Sequence, residues 1–461
     1  MQRPPDLSSA GRLQRSWSDF RQGPSAWVLI PTLTAVAIRI GFVLSGFRDT
    51  LTGDALYYHL QANRLAEGAG FVRPGAVGPG GAGVPGADHP PLYTSWLALW
   101  SVLGLDSVRW HLFAGVITGT ATVVLVAVVA ARVAGPTAGV FAGMFAALWP
   151  NLVLWDASAH AESITALCVA IFMLLAVRYL ERPSLYRLLW VGAIAGVAAL
   201  ARAELALMGV IVIPLVMATN PMGWARRALW AGLAASVAVL VIVPWAAYNQ
   251  SRFEEPVVLS TGLGLVLVSS NCDVTYYGSN IGYWWFGCST AGNVSARAFE
   301  AADPSTQDIA LRAVATRYMK EHKGRLPAVV TARLLRVSGL WAPRQAVELG
   351  ETNDGIEPWI GVAIASTWWL GAGLAVVGGV QLRRRGVHLS PYLIPIIAVA
   401  ATAVLTYGIV RFRAPCEPAV LVLAGVGAAH LMNLAERRFN RDRPAPSGAH
   451  GERSATTEPP G

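Results

Sequence analysis

The residues best equipped for chemistry stand in a polar stretch, 49–96, caught between hydrophobic segments. Asp54, Tyr58, Gln61 and Leu65 follow at spacings of three and four, so an acid and a phenol share one helical face. Asp88 and His89 precede Pro90 and Pro91, whose fixed φ and missing donors stiffen the approach to the next helix. Further ionisable groups stand at the ends of apolar runs: Asp156, His160 and Glu162 in NLVLWDASAHAE, Arg202 with Glu204, and Arg411 with Arg413. Such groups near hydrocarbon are costly unless paired or used. Arginine suits a phosphate, because its planar fork donates two parallel bonds. The competing reading is a solvated loop with an interfacial helix and ordinary helix-end solvation, and the pattern alone carries both.

The elements that must position these groups are hydrophobic. Of 461 residues only 14% are charged, 17 are Trp, and mean hydropathy is +0.47, which defines an integral membrane protein. The net charge of +9 does not indicate nucleic acid, because the arginines gather at the tails and in short loops and no basic-aromatic module occurs. The first apolar run lacks an A-x-A-like exit and reads as a retained signal anchor. Ten spans are expected, near 27–44, 109–131, 136–152, 160–179, 187–201, 204–219, 227–246, 357–380, 391–410 and 416–434. Arg39 is an anomaly inside the first. The run 92–105 is too short to cross and is placed as a juxtamembrane helix, since crossing would turn Arg132 and the Arg178–Arg187 loop outward. Residues 1–25 and 435–461 are then cytoplasmic tails, the second disordered. A single transmembrane domain spans 27–434, with external loops 45–108 and 247–355. Asp54, Glu162, Arg202 and Arg411 all fall on the side of those loops.

The second loop contains NCDVTYYGSNIGYWWFGC, residues 271–288. An extracytoplasmic setting permits a Cys272–Cys288 disulfide, and closing that loop is worth about 3 kcal/mol in the chain-entropy model. A metal site is the weaker alternative, because two thiols without nearby histidines do not make a zinc set. The aromatics serve either as an interfacial belt or as a wall against sugar or prenyl chain. Residues 306–323 read as a helix, and 325–341 as a headgroup-level helix carrying Arg325, Arg333 and Arg336.

The order of these features resembles the GT-C superfamily of polyprenyl-phosphate-sugar-dependent glycosyltransferases. The nearest branch is that of the protein O-mannosyltransferases and aminoarabinose transferases, in an actinobacterial type of family 39. The resemblance runs over about 30–435. It rests on GDALYYHLQANRLAEG, His89-Pro90-Pro91, SAHAESITAL, ALARAELAL, EHKGRLPAVVTARLLRVSGLW and RFRAPCEPAV. His89 stands where the aminoarabinose branch commonly has lysine, and no DxD occurs at Asp54.

The resemblance implies an all-α polytopic bundle of about 10–13 transmembrane helices with extracytoplasmic juxtamembrane helices. It implies an inverting transfer of mannose or an arabinose-like pentose from a polyprenyl-phosphate donor, at the outer face of the plasma membrane. The acceptor would be a cell-envelope glycolipid, polysaccharide or protein. Asp54 would be the base, with Glu162 and Asp156 as supporting acids. Arg411 and Arg413 would lead phosphate binding, followed by His89 and Arg336. Tyr57, Tyr58, His160, Tyr276 and Tyr277 would line the acceptor site or groove, and Arg202 would pair with Glu204 as a structural hinge. The lipid-linked sugar is a substrate, no cofactor is assigned, and a divalent-metal requirement stays open. A lipid transporter is the alternative from another class. It would keep its ionisable groups near the midplane on broken, repeated helices, whereas no internal repeat is evident here.

Overall fold

The computed structural model describes residues 26–77, 83–210, 212–218, 222–290 and 303–441. The expected tail at 1–25 and residues 442–461 of the tail expected at 435–461 lie outside them; residues 435–441 are helical. Helix dominates, because the apolar runs leave backbone polar groups no partner in hydrocarbon except one another.

In chain order the principal helices begin with α1 (Leu29–Leu44), α2 (Gly53–Ala66), α3 (Pro91–Val102), α4 (Val108–Ala134), α5 (Pro136–Leu148) and α6 (Pro150–Asp156). Next come α7 (Glu162–Glu181), α8 (Leu185–Ala201), α9 (Ala206–Val210), α10 (Ile213–Met217), α11 (Trp224–Gln250) and α12 (Leu263–Ser270). The last are α13 (Pro304–Glu321), α14 (Leu326–Val337), α15 (Pro343–Asp354), α16 (Pro358–Arg384), α17 (Ser390–Leu405) and α18 (Glu417–Arg441). Many open on proline, whose missing N–H costs nothing at a position with no intrahelical partner.

Among the described residues, α4, α7, α11, α16 and the segment Val410–Asn440 are long and apolar enough to cross a membrane. α5 and α6 together make a sixth, bent by 56° at Trp149-Pro150. The remaining four expected spans are the shorter apolar helices Leu29–Leu44, Leu185–Ala201, Ala203–Met217 and Ser390–Leu405.

Local details depart from the sequence reading. The span 204–219 is a 3-10 turn, Ala203–Leu205, followed by two five-residue helices. Helix α18 continues to Arg441, past the expected boundary at 434, because its polar final turns keep their i to i+4 bonds. The stretch expected as the first external loop holds a small antiparallel strand pair, β1 (Val72–Val77) with β2 (Gly83–Pro85), where a Gly/Pro-rich loop was expected.

The bundle closes through small residues, as membrane helices without a hydrophobic drive between them do. α16 and α18 approach so nearly that a β-carbon on Gly378 would stand 1.9 Å from the Leu423 carbonyl oxygen. One on Gly427 would stand 2.1 Å from that of Leu374. Val123, Phe172, Met173, Tyr179 and Leu421 fill the main core between α4, α7 and α18. α2 packs on α3, α12 on α13, α15 on α16, and α14 on α17 and the turn Val410–Cys416.

Candidate active site

Asp54 lies in the first turn of α2, after extended Thr52 and left-handed Gly53 (φ +53°). A carboxylate at that position is favoured by the helix N-terminus. The expected face forms. Tyr58 is buried against His89, ring to ring 4.7 Å, and Tyr93, 5.0 Å. The Gln61 amide donates to the Tyr57 hydroxyl (2.9 Å) and accepts from Thr94 Oγ1 (2.9 Å). Tyr57 in turn donates to Asp88 (2.8 Å), which Arg73 grips through two nitrogens. A hydrogen-bonded brace thus orients α2 toward His89, whose Nε2 is 3.6 Å from Asp54 Oδ1.

The centre of the site is a guanidinium between carboxylates from distant parts of the chain. Arg411, on the turn Val410–Cys416, donates Nη2–H to Asp54 Oδ2 (2.6 Å) and Nε–H to Glu162 Oε1 (2.5 Å). Its Nη1 lies 3.9 Å from Asp354 at the end of α15, within ion-pair range but beyond a hydrogen bond. The plane of Arg411 sits 5.3 Å over the Trp155 ring. Glu162 begins α7 and is fully buried. Its Oε1 also accepts from Arg202 Nη1 (2.5 Å), while Oε2 has no partner. Arg202 Nε binds Glu204 (2.5 Å), so the expected hinge pair forms. Its bond to Glu162, however, makes Arg202 a member of the charged centre as well.

Burial opposes ionisation of Asp54, but Arg411, His89 and His160 outweigh it and hold the carboxyl well below the usual range. Asp354 moves the other way. Burial raises it, aided by the charges of Glu162 and Asp54, and Arg411 compensates only in part. His160 is pushed down to about 4 by burial and then by Arg411. It is therefore a neutral ring whose Nδ1–H donates to the Ser158 carbonyl (2.7 Å), packed 5.0 Å from Trp155.

Several residues assigned from the sequence stand elsewhere. Asp156 faces into the bundle and pairs with Arg39 (2.7 Å), both buried, while Arg39 also donates to the carbonyls of Ala146 and Ala147. The anomalous arginine of the first span thereby gains its partner. Arg413 is bound to Glu417 (3.0 Å), which also accepts from Asn151 (2.8 Å), and lies 4.3 Å over Trp368. The two arginines are two residues apart on a tight turn and point in different directions. Arg336 donates to the carbonyls of Ile281 and Ser279, both at 2.6 Å, and so clamps the aromatic loop. Tyr276 is buried and donates to Asn271 (2.7 Å), and Tyr277 lies outward beneath Arg325. Neither makes contact with the charged centre. Cys272 and Cys288 form a disulfide.

A cavity of about 70 Å³ adjoins Arg411, walled by Trp155, Tyr283, Arg336, Asp354 and Arg413. Asp354 was missed from sequence because ELGETND reads as any exposed acidic helix end. Trp155 was missed because an aromatic beside an apolar run ordinarily packs. Among the described residues no group of three or more His, Cys, Asp or Glu converges on a metal position. Where Asp54 and Glu162 converge, they meet Arg411.

Residues 88–248 match the family model for dolichyl-phosphate-mannose-protein mannosyltransferase. Among solved structures, the archaeal oligosaccharyltransferase AglB from Archaeoglobus fulgidus, in complex with an inhibitory peptide and a dolichol-phosphate, aligns at TM-score 0.50 and 13% identity. That alignment covers 92% of this chain and 52% of AglB. The Archaeoglobus fulgidus oligosaccharyltransferase complex with Zn and sulfate also gives 0.50 and 13%, over 90% of this chain and 50% of the other. The chain thus spans about half the length of these archaeal proteins, and at this identity the likeness is one of fold. ArnT from Cupriavidus metallidurans, bound to undecaprenyl phosphate, aligns at 0.41 and 14% over 92% and 82% of the two chains. No curated protein sequence matches.

Proposed function

We propose that the chain is a membrane glycosyltransferase of the GT-C superfamily, and that it moves a sugar from a polyprenyl-phosphate donor to an acceptor hydroxyl on the extracytoplasmic face, inverting the anomeric carbon; the mannosyltransferase model over 88–248 and the fold shared with the archaeal oligosaccharyltransferase support it. The observation that carries this reading is the sharing of Arg411 by Asp54 and Glu162. The acceptor oxygen attacks the anomeric carbon, the bond from that carbon to the phosphate oxygen breaks, and the acceptor proton passes to Asp54. Negative charge collects on the departing lipid phosphate, where the Arg411 fork and His89 oppose it. Glu162 and Arg202 hold Arg411 in place.

The ground-state geometry adds a coupling. Asp54 bound to Arg411 is a weak base, since its carboxyl is held far below the ordinary range. A donor phosphate on Arg411 would draw the guanidinium toward itself, release Asp54 and let its basicity return. Donor binding and base activation then become one event. Sidedness follows the arginines. Arg132 at the end of α4, Arg178 near the end of α7 and Arg383–Arg385 after α16 all stand at the bundle end opposite the site. By the positive-inside tendency that end is cytoplasmic.

The test is direct. Purified protein in nanodiscs is incubated with polyprenyl-phosphate mannose and polyprenyl-phosphate pentoses, together with cell-envelope glycolipids, polysaccharide fragments and Ser/Thr peptides. Products are identified by mass spectrometry. Transfer from one donor supports the reading, and vectorial movement of intact lipid without transfer would replace it with transport.

A further inference from the structure

The charged centre is flanked by aromatic rings that the proposed chemistry does not use. Trp284, from the disulfide-closed loop, stands 6.2 Å ring to ring from Tyr407 at 46°. Tyr407 stands 4.6 Å from Phe412 at 33°. All three are half-buried, and Trp284 is further met by Tyr283, stacked at 5.8 Å, and by Phe286, edge-on at 4.6 Å. At its inner end the Arg202 guanidinium lies 5.1 Å over Phe412, bound to Glu162 and to the partly exposed Glu204. At its outer end the loop presents Trp285 and Phe286 to the exterior.

The backbone under the strip is held in place. Gly408 N–H donates to the Gly282 carbonyl (2.9 Å), and a β-carbon on Gly408 would meet the Arg333 carbonyl at 2.1 Å. Arg333 in turn donates to the carbonyls of Ser270 (2.7 Å) and Val404 (3.0 Å). The rings are therefore set before any ligand arrives, which lowers the ordering cost of binding.

The surroundings identify the occupant. An isoprenoid chain would cover the rings but strip water from Arg202 and Glu204 without returning hydrogen bonds. A sugar ring offers both halves of the match: a C–H face for the aromatics and hydroxyls at its edge for the carboxylate and guanidinium. Arg411 Nη1 faces Asp354, 3.9 Å away.

We propose that Trp284, Tyr407 and Phe412 form a stacking subsite for the sugar ring of the acceptor, so that the acceptor is a glycan and not a protein side chain. This rests on the glycosyl transfer proposed above.

The experiment is saturation-transfer difference NMR on the full chain in nanodiscs. The probes are a mannose trisaccharide, an arabinofuranose trisaccharide and a Ser/Thr-rich peptide, each with and without excess sugar-free polyprenyl phosphate. At least one trisaccharide should bind through its ring C–H protons, and polyprenyl phosphate should not displace it. Trp284→Ala should weaken that binding roughly tenfold, whereas Trp284→Tyr and Tyr407→Phe, which keep the rings, should retain most of it. Displacement by polyprenyl phosphate would assign the strip to the donor and overturn the proposal. So would binding of the peptide alone, no trisaccharide binding, or an unchanged affinity in Trp284→Ala. The two readings fail separately. Glycan binding without transfer from any donor sinks only the glycosyltransferase reading, and transfer onto the peptide sinks only the glycan subsite.

Discussion

Two kinds of arginine–carboxylate contact stand close together in this molecule, and they are built differently. Arg39–Asp156 and Arg413–Glu417 are buried pairs in which one guanidinium answers one acid, and backbone carbonyls or Asn151 take up further valences. At the charged centre two guanidiniums serve Asp54, Glu162 and Glu204, with Asp354 beyond hydrogen-bond reach. There Glu162 Oε2 lacks a partner, as Glu417 Oε2 does in its own pair, and Arg411 Nη1 has only Asp354, 3.9 Å away. Closed pairs hold helices together. The open set shares one guanidinium between acids, and Asp54 is partly accessible to a substrate. Burial, charge and an unmet carboxylate oxygen do not separate the two, since Glu417 Oε2 also lacks a partner; the sharing of one guanidinium between acids and the partial exposure of Asp54 do.

The largest expected effect lies in the open set. Asp54→Asn should lower single-turnover transfer by roughly 100- to 10,000-fold while leaving donor affinity near wild type, since it removes a base and little volume. Turnover within a few-fold of wild type would take the base role from Asp54.

The closed set should answer in stability. Arg39→Ala leaves Asp156 buried without its cation and should cost about 3–5 kcal/mol. Arg413→Ala should act in the same direction through Glu417. Thermal unfolding in detergent measures both. A normal melting temperature for Arg413→Ala with lost donor binding would move Arg413 into the open set.

Arg411→Ala should lose donor affinity and turnover together, by roughly 2–5 kcal/mol, and Arg411→Lys should keep part of the affinity, because it retains charge without the fork. Lipid-binding titrations decide it. Equal, small effects at positions 411 and 413 would erase the distinction drawn here.

The smallest effect is in pH dependence. The His160 value falls from an ordinary 6.5 to about 4, so between those limits the folded chain binds fewer protons than the unfolded one. Stability from this group is complete above about pH 6.5 and is lost as pH falls toward 4, by at most about 3 kcal/mol. His160→Asn should flatten that part of the stability profile, and an unchanged slope would show that the ring does not titrate on unfolding.

Much of this was present in the chain itself. Hydropathy and arginine placement determined a helical membrane protein and the position of its apolar segments, because transfer to hydrocarbon acts on each segment independently of its neighbours. The spacing of Asp54, Tyr58 and Gln61 determined their common face, because helical period is local. The Cys272–Cys288 pairing was legible for the same reason, the two residues closing a short loop. Which arginine meets which acid was not legible. Arg411 and Arg413 look alike in RFRAPCEP, as do Asp156 and Glu162 in one connector, and Asp354 sits in an unremarked acidic helix end. Only the packing of α2, α7, α15 and the turn Val410–Cys416 sends Arg411 to the open centre and Arg413 into the bundle. The physical reason is that a charge takes its role from the partners and solvent around it, and those are supplied by segments hundreds of residues away.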